Sequence, residues 1–324
     1  MIRRRIKAAR LVSGAPAKPD GSLRLQCGQV VSLEPAEGSS TMNSYQCGSW
    51  EAEWHAEDGG RLSALRYAHQ DLLTAPPATF HSPAGDYGQY ETRPVYGYDD
   101  CFPTVDPCDF PTQGWPVPDH GELCWLPWEV TPARDQLAFH VKSELLPVIF
   151  TRRMSFQRSS LNWLFEVINT GNMNVPFLHV MHCLMPLREV AEVRVPEFSR
   201  VVDEAHDKGL PLTTPRHVED LLLSQGTNKA WMLLLQGVKS GSVGIAFKSG
   251  LKLEVRFPLE LFPTLGIWWN NGKYPDEEGC RRVECAFEPI PGPYSSLAKS
   301  FQEGAYLLAP ARASVRWTIT WNIT

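Results

Sequence analysis

The sequence predicts an all-β protein, and three observations carry that expectation. Short segments of strict apolar–polar alternation recur along the chain. Helical periodicity is scarce. Pro and Gly punctuate the intervals, with 27 and 24 respectively in 324 residues. Period-two alternation puts every second side chain on one face of a strand, so many such segments need a facing sheet to cover them. A chain of this length then suits a large two-sheet β-sandwich, expected as a single domain over residues 1–324, with 1–24 as a peripheral N-terminal segment. No repeat of 20–50 residues is present, which argues against a propeller or solenoid.

The elements follow in order. Ala52, Trp54 and Ala56 alternate with Glu51, Glu53, His55 and Glu57, and Gly59-Gly60 turns the chain into RLSALRYAHQDLL as a hairpin partner. Leu137, Phe139 and Val141 alternate with Gln136, His140 and Lys142. Leu161, Trp163, Phe165 and Val167 alternate with Asn162 and Glu166. Val243, Ile245 and Phe247 precede a Ser-Gly turn, and Leu251, Leu253, Val255 and Phe257 follow it. The last strand has the cleanest period: Val315, Trp317, Ile319, Trp321 and Ile323 against Arg316, Thr318, Thr320 and Asn322. Only 216–225 and 295–306 read as helices.

One stretch, Gly97 to Trp128, breaks the pattern. Pro103, Pro107, Pro111, Pro116 and Pro118 rule out a regular helix or a central strand, yet Tyr98, Phe102, Phe110, Trp115, Trp125 and Trp128 will not stay loose in water. A stiff, aromatic, irregular segment reads as an ordered loop with a function. Asp99-Asp100 reads as a turn cap, with a structural cation held near Asp99, Asp100 and Asp106 as the alternative. Near the end, Pro118-Asp119-His120-Gly121-Glu122 sets an imidazole between two carboxylates. This is one wall of a polar pocket, suited to a sugar.

Composition narrows the partners. A formal net charge of −5 gives no electrostatic case for nucleic acid or an anionic membrane. No apolar run approaches the ~20 residues of a membrane span. The basic start, MIRRRIKAARLVSG, lacks the apolar region of a secretory signal. The eight cysteines form no CxxC and no usual zinc spacing, which suits mostly reduced, buried thiols and a cytoplasmic protein.

Further candidate groups lie downstream. In VPFLHVMHCLMPL, His179 and His182 are three apart, so on a strand only one can enter a pocket. In GIWWNNGKYPDEEGCRRVECAFEPIPGPYSSL, Glu284 and Glu288 share a face. Pro289 closes the strand, which puts Glu288 at the sheet rim. Trp268 or Trp269 offers a flat face for pyranose C–H groups, and carboxylates and imidazoles take up hydroxyls.

The order GGRLSAL, GYDDCFPT with PDHGE, NTG followed by VPFLHVMHCLMPL, FEPIPGPYSSL and a final RWTITW resembles the aldose 1-epimerase (galactose mutarotase-like) family, as a divergent member. The resemblance runs from about Gly59 to Trp321. It implies a galactose mutarotase-like supersandwich and an isomerase that interconverts the α and β anomers of a free sugar. No metal or organic cofactor is implied, and the protein would be a monomer or homodimer. It assigns His182 as the catalytic imidazole and Glu288 as the catalytic carboxylate, with Glu284 as the fallback. His120 is the pocket-loop imidazole, and His179 is non-catalytic. Asp119, Glu122, Trp268, Trp269, Tyr98 and Asp100 are the expected substrate-binding set. The alternatives are a hexose-phosphate epimerase of the same fold, a polysaccharide-processing enzyme, or a non-catalytic carbohydrate-binding protein.

Overall fold

In a computed structural model, described over residues 29–33, 42–77, 87–224, 226–275 and 281–324, the alternating segments are strands. The expected peripheral segment 1–24 lies outside the described residues. Strand Gln136–Lys142 buries Leu137, Phe139 and Val141. Strand Ser160–Asn169 buries Leu161, Trp163, Phe165 and Val167, and Ser314–Ile323 buries Trp317, Ile319, Trp321 and Ile323. All three belong to one eight-stranded antiparallel sheet, where Ser160–Asn169 pairs with Ser314–Ile323 on one side and Val148–Phe156 on the other.

The facing layer is split in two. A seven-stranded sheet contains Trp50–His55, Arg61–Tyr67, Tyr98–Cys101 and Val180–Cys183. A five-stranded sheet contains Lys229–Gln236, Thr264–Asn271 and Val283–Ile290. The two join where Met185 and Cys285 exchange backbone hydrogen bonds of 2.7 and 3.0 Å. One hydrophobic core runs through all three sheets, taking in Trp54, Trp163, Leu233 and Phe287. Period-two alternation then leaves the opposite face of the split layer free to carry polar groups.

The predicted hairpin forms between Trp50–His55 and Arg61–Tyr67, with Gly59 and Gly60 both at positive φ. A Cβ on Gly59 would lie 2.4 Å from the Cys124 carbonyl oxygen, so this turn is pressed against the aromatic stretch. The helix expected over 216–225 is Pro215–Leu223, with the Thr214 side chain accepting from the His217 amide. The one expected over 295–306 is shorter, Leu297–Gln302, because Gly304 takes a left-handed conformation just beyond its end. No described helix is long and apolar enough to cross a membrane. Cys101, Cys108, Cys124, Cys183 and Cys285 are free thiols, whereas Cys47 is disulfide-bonded.

Candidate active site

The aromatic stretch begins as a strand. Tyr98–Cys101 pairs antiparallel with Val180–Cys183, which sets Asp99 opposite His182. This corrects the turn-cap reading of Asp99-Asp100; the prolines start only at Pro103, after the strand has ended. Alternation sends Asp99 and Cys101 to the outer face and Tyr98 and Asp100 into the core. The histidines divide in the same way. His182 turns outward, while His179 is buried among Phe150, Phe165 and Trp317 and bonded to Asp100 through Nε2 at 2.9 Å.

A cavity of about 350 Å³ opens where the seven- and five-stranded sheets meet, walled by Tyr90, His120, His182, Trp268, Glu288 and Glu204 among others. His182 Nδ1 lies 2.9 Å from Asp99 Oδ1 and 3.1 Å from the Tyr90 hydroxyl, and that hydroxyl donates to Asp99 Oδ2 at 2.8 Å. Arg61 Nη2 sits 3.1 Å from the same carboxylate. Asp99 thus accepts a hydrogen bond from His182 Nδ1–H and leaves Nε2 as the working atom. Burial disfavours the Asp99 charge, but Arg61 and then His182 outweigh it and hold its carboxyl well below the usual range. Burial also pushes the His182 imidazole down. The hydrogen bond and charge of Asp99 overcome this, with help from Glu288 and Glu284, and hold it above the usual range.

His120 is fixed by its neighbour, with Nδ1 2.9 Å from Asp119 Oδ1. Its ring lies flat on Tyr90 at 3.7 Å between centroids and meets His182 edge-on at 5.0 Å. The backbone of His120 has φ +59°, a region few side chains other than Gly occupy. Such outliers persist only where their surroundings enforce them. Here the enforcement comes from Gly121, whose φ is +71° and whose added Cβ would lie 1.9 Å from the Phe102 carbonyl oxygen.

Glu288 is 3% exposed, and its carboxylate makes no hydrogen bond among the described residues. Burial raises its pKa, His182 and His120 draw it back, and the Asp99 charge adds to the rise. It does not close its strand. Val283–Ile290 runs through Pro289, because this is the edge strand of the five-stranded sheet and Pro forfeits no ladder bond on an open side. Glu284 lies on the same face but is committed elsewhere, accepting from Trp268 Nε1 at 3.1 Å and Arg282 Nε at 2.8 Å. Trp268 lines the cavity, edge-on to Tyr274 with centroids 5.6 Å apart. Arg282, the cation on this wall, also makes a two-pronged bond to Glu91 at 2.8 and 3.2 Å.

Four expected binding residues do not reach the cavity. Trp269 faces the core, as the next residue along the strand from Trp268 must. Tyr98 is buried beside Trp163 with centroids 4.9 Å apart, and its hydroxyl donates to Asp100. Asp100 is enclosed by Arg152 at 2.5 Å and by His179. Glu122 instead pins the aromatic stretch to the 143–145 turn, accepting from Ser143 Oγ and from the Glu144 and Leu145 amides at 2.9 and 3.1 Å. Tyr90 and Glu204, by contrast, line the cavity and were not expected, nor were Asp99 behind His182 and Cys101 beside the two imidazoles. Treating 98–101 as a strand would have found Asp99 and Cys101 by alternation. Tyr90 and Glu204 lie in or beside irregular segments and carry no periodic signal.

No protein-family model and no curated protein matches the sequence. Solved structures do match. A galactose mutarotase-like protein from Clostridium acetobutylicum aligns with a TM-score of 0.65 at 13% identity, over 91% of this chain and 98% of its own. A candidate aldose 1-epimerase from Escherichia coli K12 aligns at 0.65 and 14% identity, over 87% and 98%. A galactose mutarotase-like protein from Lactobacillus casei aligns at 0.59 and 16%, over 87% and 100%. At such identities the likeness is one of architecture: the chain has the galactose mutarotase-like β-sandwich fold.

Proposed function

We propose that the protein is a mutarotase, interconverting the α and β anomers of a free aldose. The observation that carries this reading is the meeting of His182 and Glu288 in one cavity: an imidazole whose pKa Asp99 raises, and a buried carboxylate with no hydrogen-bond partner among the described residues. Anomerisation needs a proton delivered to the ring oxygen and one removed from the anomeric hydroxyl. The ring then opens, C1 turns, and the ring closes from the other face. His182 Nε2 supplies the acid and Glu288 the base. Each such term is worth roughly 10²–10⁴-fold. His120, oriented by Asp119, binds a neighbouring hydroxyl, and Trp268 covers an apolar sugar face.

A phosphorylated substrate fits less well. Arg282 is spent on Glu91 and Glu284, Arg93 pairs with Asp58, and Arg152 is sealed in the core.

Proton NMR of anomeric exchange on glucose, galactose, xylose, arabinose, fucose, rhamnose and glucose 6-phosphate tests the reading. Enzyme-dependent exchange is expected with at least one neutral aldose. It is expected to fall by at least ~10²-fold in both Glu288→Gln and His182→Ala, with the fold intact by circular dichroism. Near wild-type exchange in either variant would sink the assignment. Saturable sugar binding without any exchange would leave a binding protein.

A further inference from the structure

We propose that Cys101, His120 and His182 together bind a thiophilic divalent cation, with Zn²⁺ as the probe, and that the bound ion blocks the cavity. One donor atom from each residue lies within 4.8 Å of the other two. The carboxylates behind the imidazoles are what makes this a site. Asp99 holds Nδ1 of His182 and Asp119 holds Nδ1 of His120, each at 2.9 Å, so both rings turn Nε2 towards the cavity. A carboxylate on the far nitrogen is the usual support of a metal-bound imidazole, fixing its tautomer and orientation.

The donor set suits a particular class of ion. Two imidazole nitrogens and one thiolate with an open fourth position match tetrahedral zinc, and sulfur selects against Mg²⁺ and Ca²⁺. Zinc bonds of roughly 2.0–2.3 Å set ligand atoms about 3.5 Å apart, so the three atoms need to draw in by about 1 Å. Charge is also provided for. The Glu288 carboxylate on the cavity wall, and the thiolate that Cys101 becomes on binding, offset the two positive charges. Binding releases the Cys101 thiol proton to solvent, with any proton on the two Nε2 atoms, and involves no electron transfer. An ion on His182 Nε2 removes the acid of the proposed mutarotase. The inhibitory half of the inference therefore rests on that function, while the binding half does not.

Cobalt(II) absorption on the full chain separates the two. One Co²⁺ per chain is expected, with tetrahedral visible bands and a near-ultraviolet thiolate charge-transfer band, all displaced by Zn²⁺. Cys101→Ser is expected to lose the charge-transfer band and bind at least ~10-fold more weakly, while its mutarotation continues and resists Zn²⁺. Asp119→Asn, half-exposed and outside the core, is expected to weaken binding by ~10–100-fold with the thiolate band retained. No charge-transfer band in the wild type, or one that persists in Cys101→Ser, overturns the site. A full cobalt signature with no mutarotation on any sugar would refute the acid–base reading and leave the metal site standing.

Discussion

Asp99 and Asp100 are adjacent, both almost fully buried, and face opposite sides of one strand. Asp99 tunes an imidazole in the cavity, and Asp100 holds a guanidinium and an imidazole in the core. Glu204 shows the same dependence on surroundings at the far wall of the cavity. Burial lifts its pKa from 4.5 to about 7, although Ser295 donates both its amide and its hydroxyl to it. The sign follows from linkage. A carboxyl whose folded pKa is raised stabilises the fold in its neutral form, so its contribution is full below pH ~4.5 and is lost as pH rises through ~7. Glu204→Gln, which cannot ionise, is expected to gain stability relative to wild type as pH rises from 5 to 8. Denaturant midpoints at several pH values measure this, and a difference that does not change with pH would count against the raised pKa.

At the scale of elements, the cavity depends on how the aromatic stretch is tied down. Its two ends are held by different means: strand pairing at Tyr98–Cys101, and the Glu122 bonds to the 143–145 turn. Between them, Gly121 brings the backbone against Phe102 and aims His120. Gly121→Ala must relieve both a left-handed φ and a Cβ at 1.9 Å from a carbonyl oxygen. The expected cost is at least about 2–3 kcal/mol, with loss of the His120 contacts. Gly48 is the control, because its φ is +62° but nothing lies within 4 Å of an added Cβ. Gly48→Ala should therefore cost only about 1 kcal/mol. Equal losses of melting temperature in the two variants would show that close approach does not matter at Gly121. Long alternating strands such as Ser314–Ile323 were legible in the sequence because one face is buried along their whole length. So were the positions of His120, His182, Glu288 and Trp268 at the cavity. Tyr98–Cys101 was not, since four residues buried on both faces show no alternation. Trp269, Tyr98, Asp100 and Glu122 were misplaced because a polar or aromatic side chain reads alike whether it binds a ligand or satisfies a buried partner.

Across the whole molecule, the two layers are joined by charge as well as by apolar packing. Arg152, from the eight-stranded sheet, is fully buried, and it reaches across to Asp100 at 2.5 Å and to the Gly60 carbonyl at 2.5 Å. The rings of Phe139, Tyr98 and Trp128 lie 4.1, 4.7 and 5.0 Å from its guanidinium carbon. Through Gly60 the contact touches the hairpin turn, through Trp128 the aromatic stretch, and through Asp100 the strand that carries Asp99. Desolvating two charges is costly, so an intact pair adds little net stability, but removing one partner strands the other. Asp100→Asn is expected to cost about 3–5 kcal/mol in chemical denaturation, because Arg152 keeps its charge with no water to receive it. Arg152→Met combined with Asp100→Asn is expected to recover a large part of that loss, since neither charge then remains buried. The double variant should also keep anomeric exchange, because no removed group faces the cavity. If the double variant were no more stable than Asp100→Asn alone, the cost would belong to lost packing around Arg152 and not to its unpaired charge.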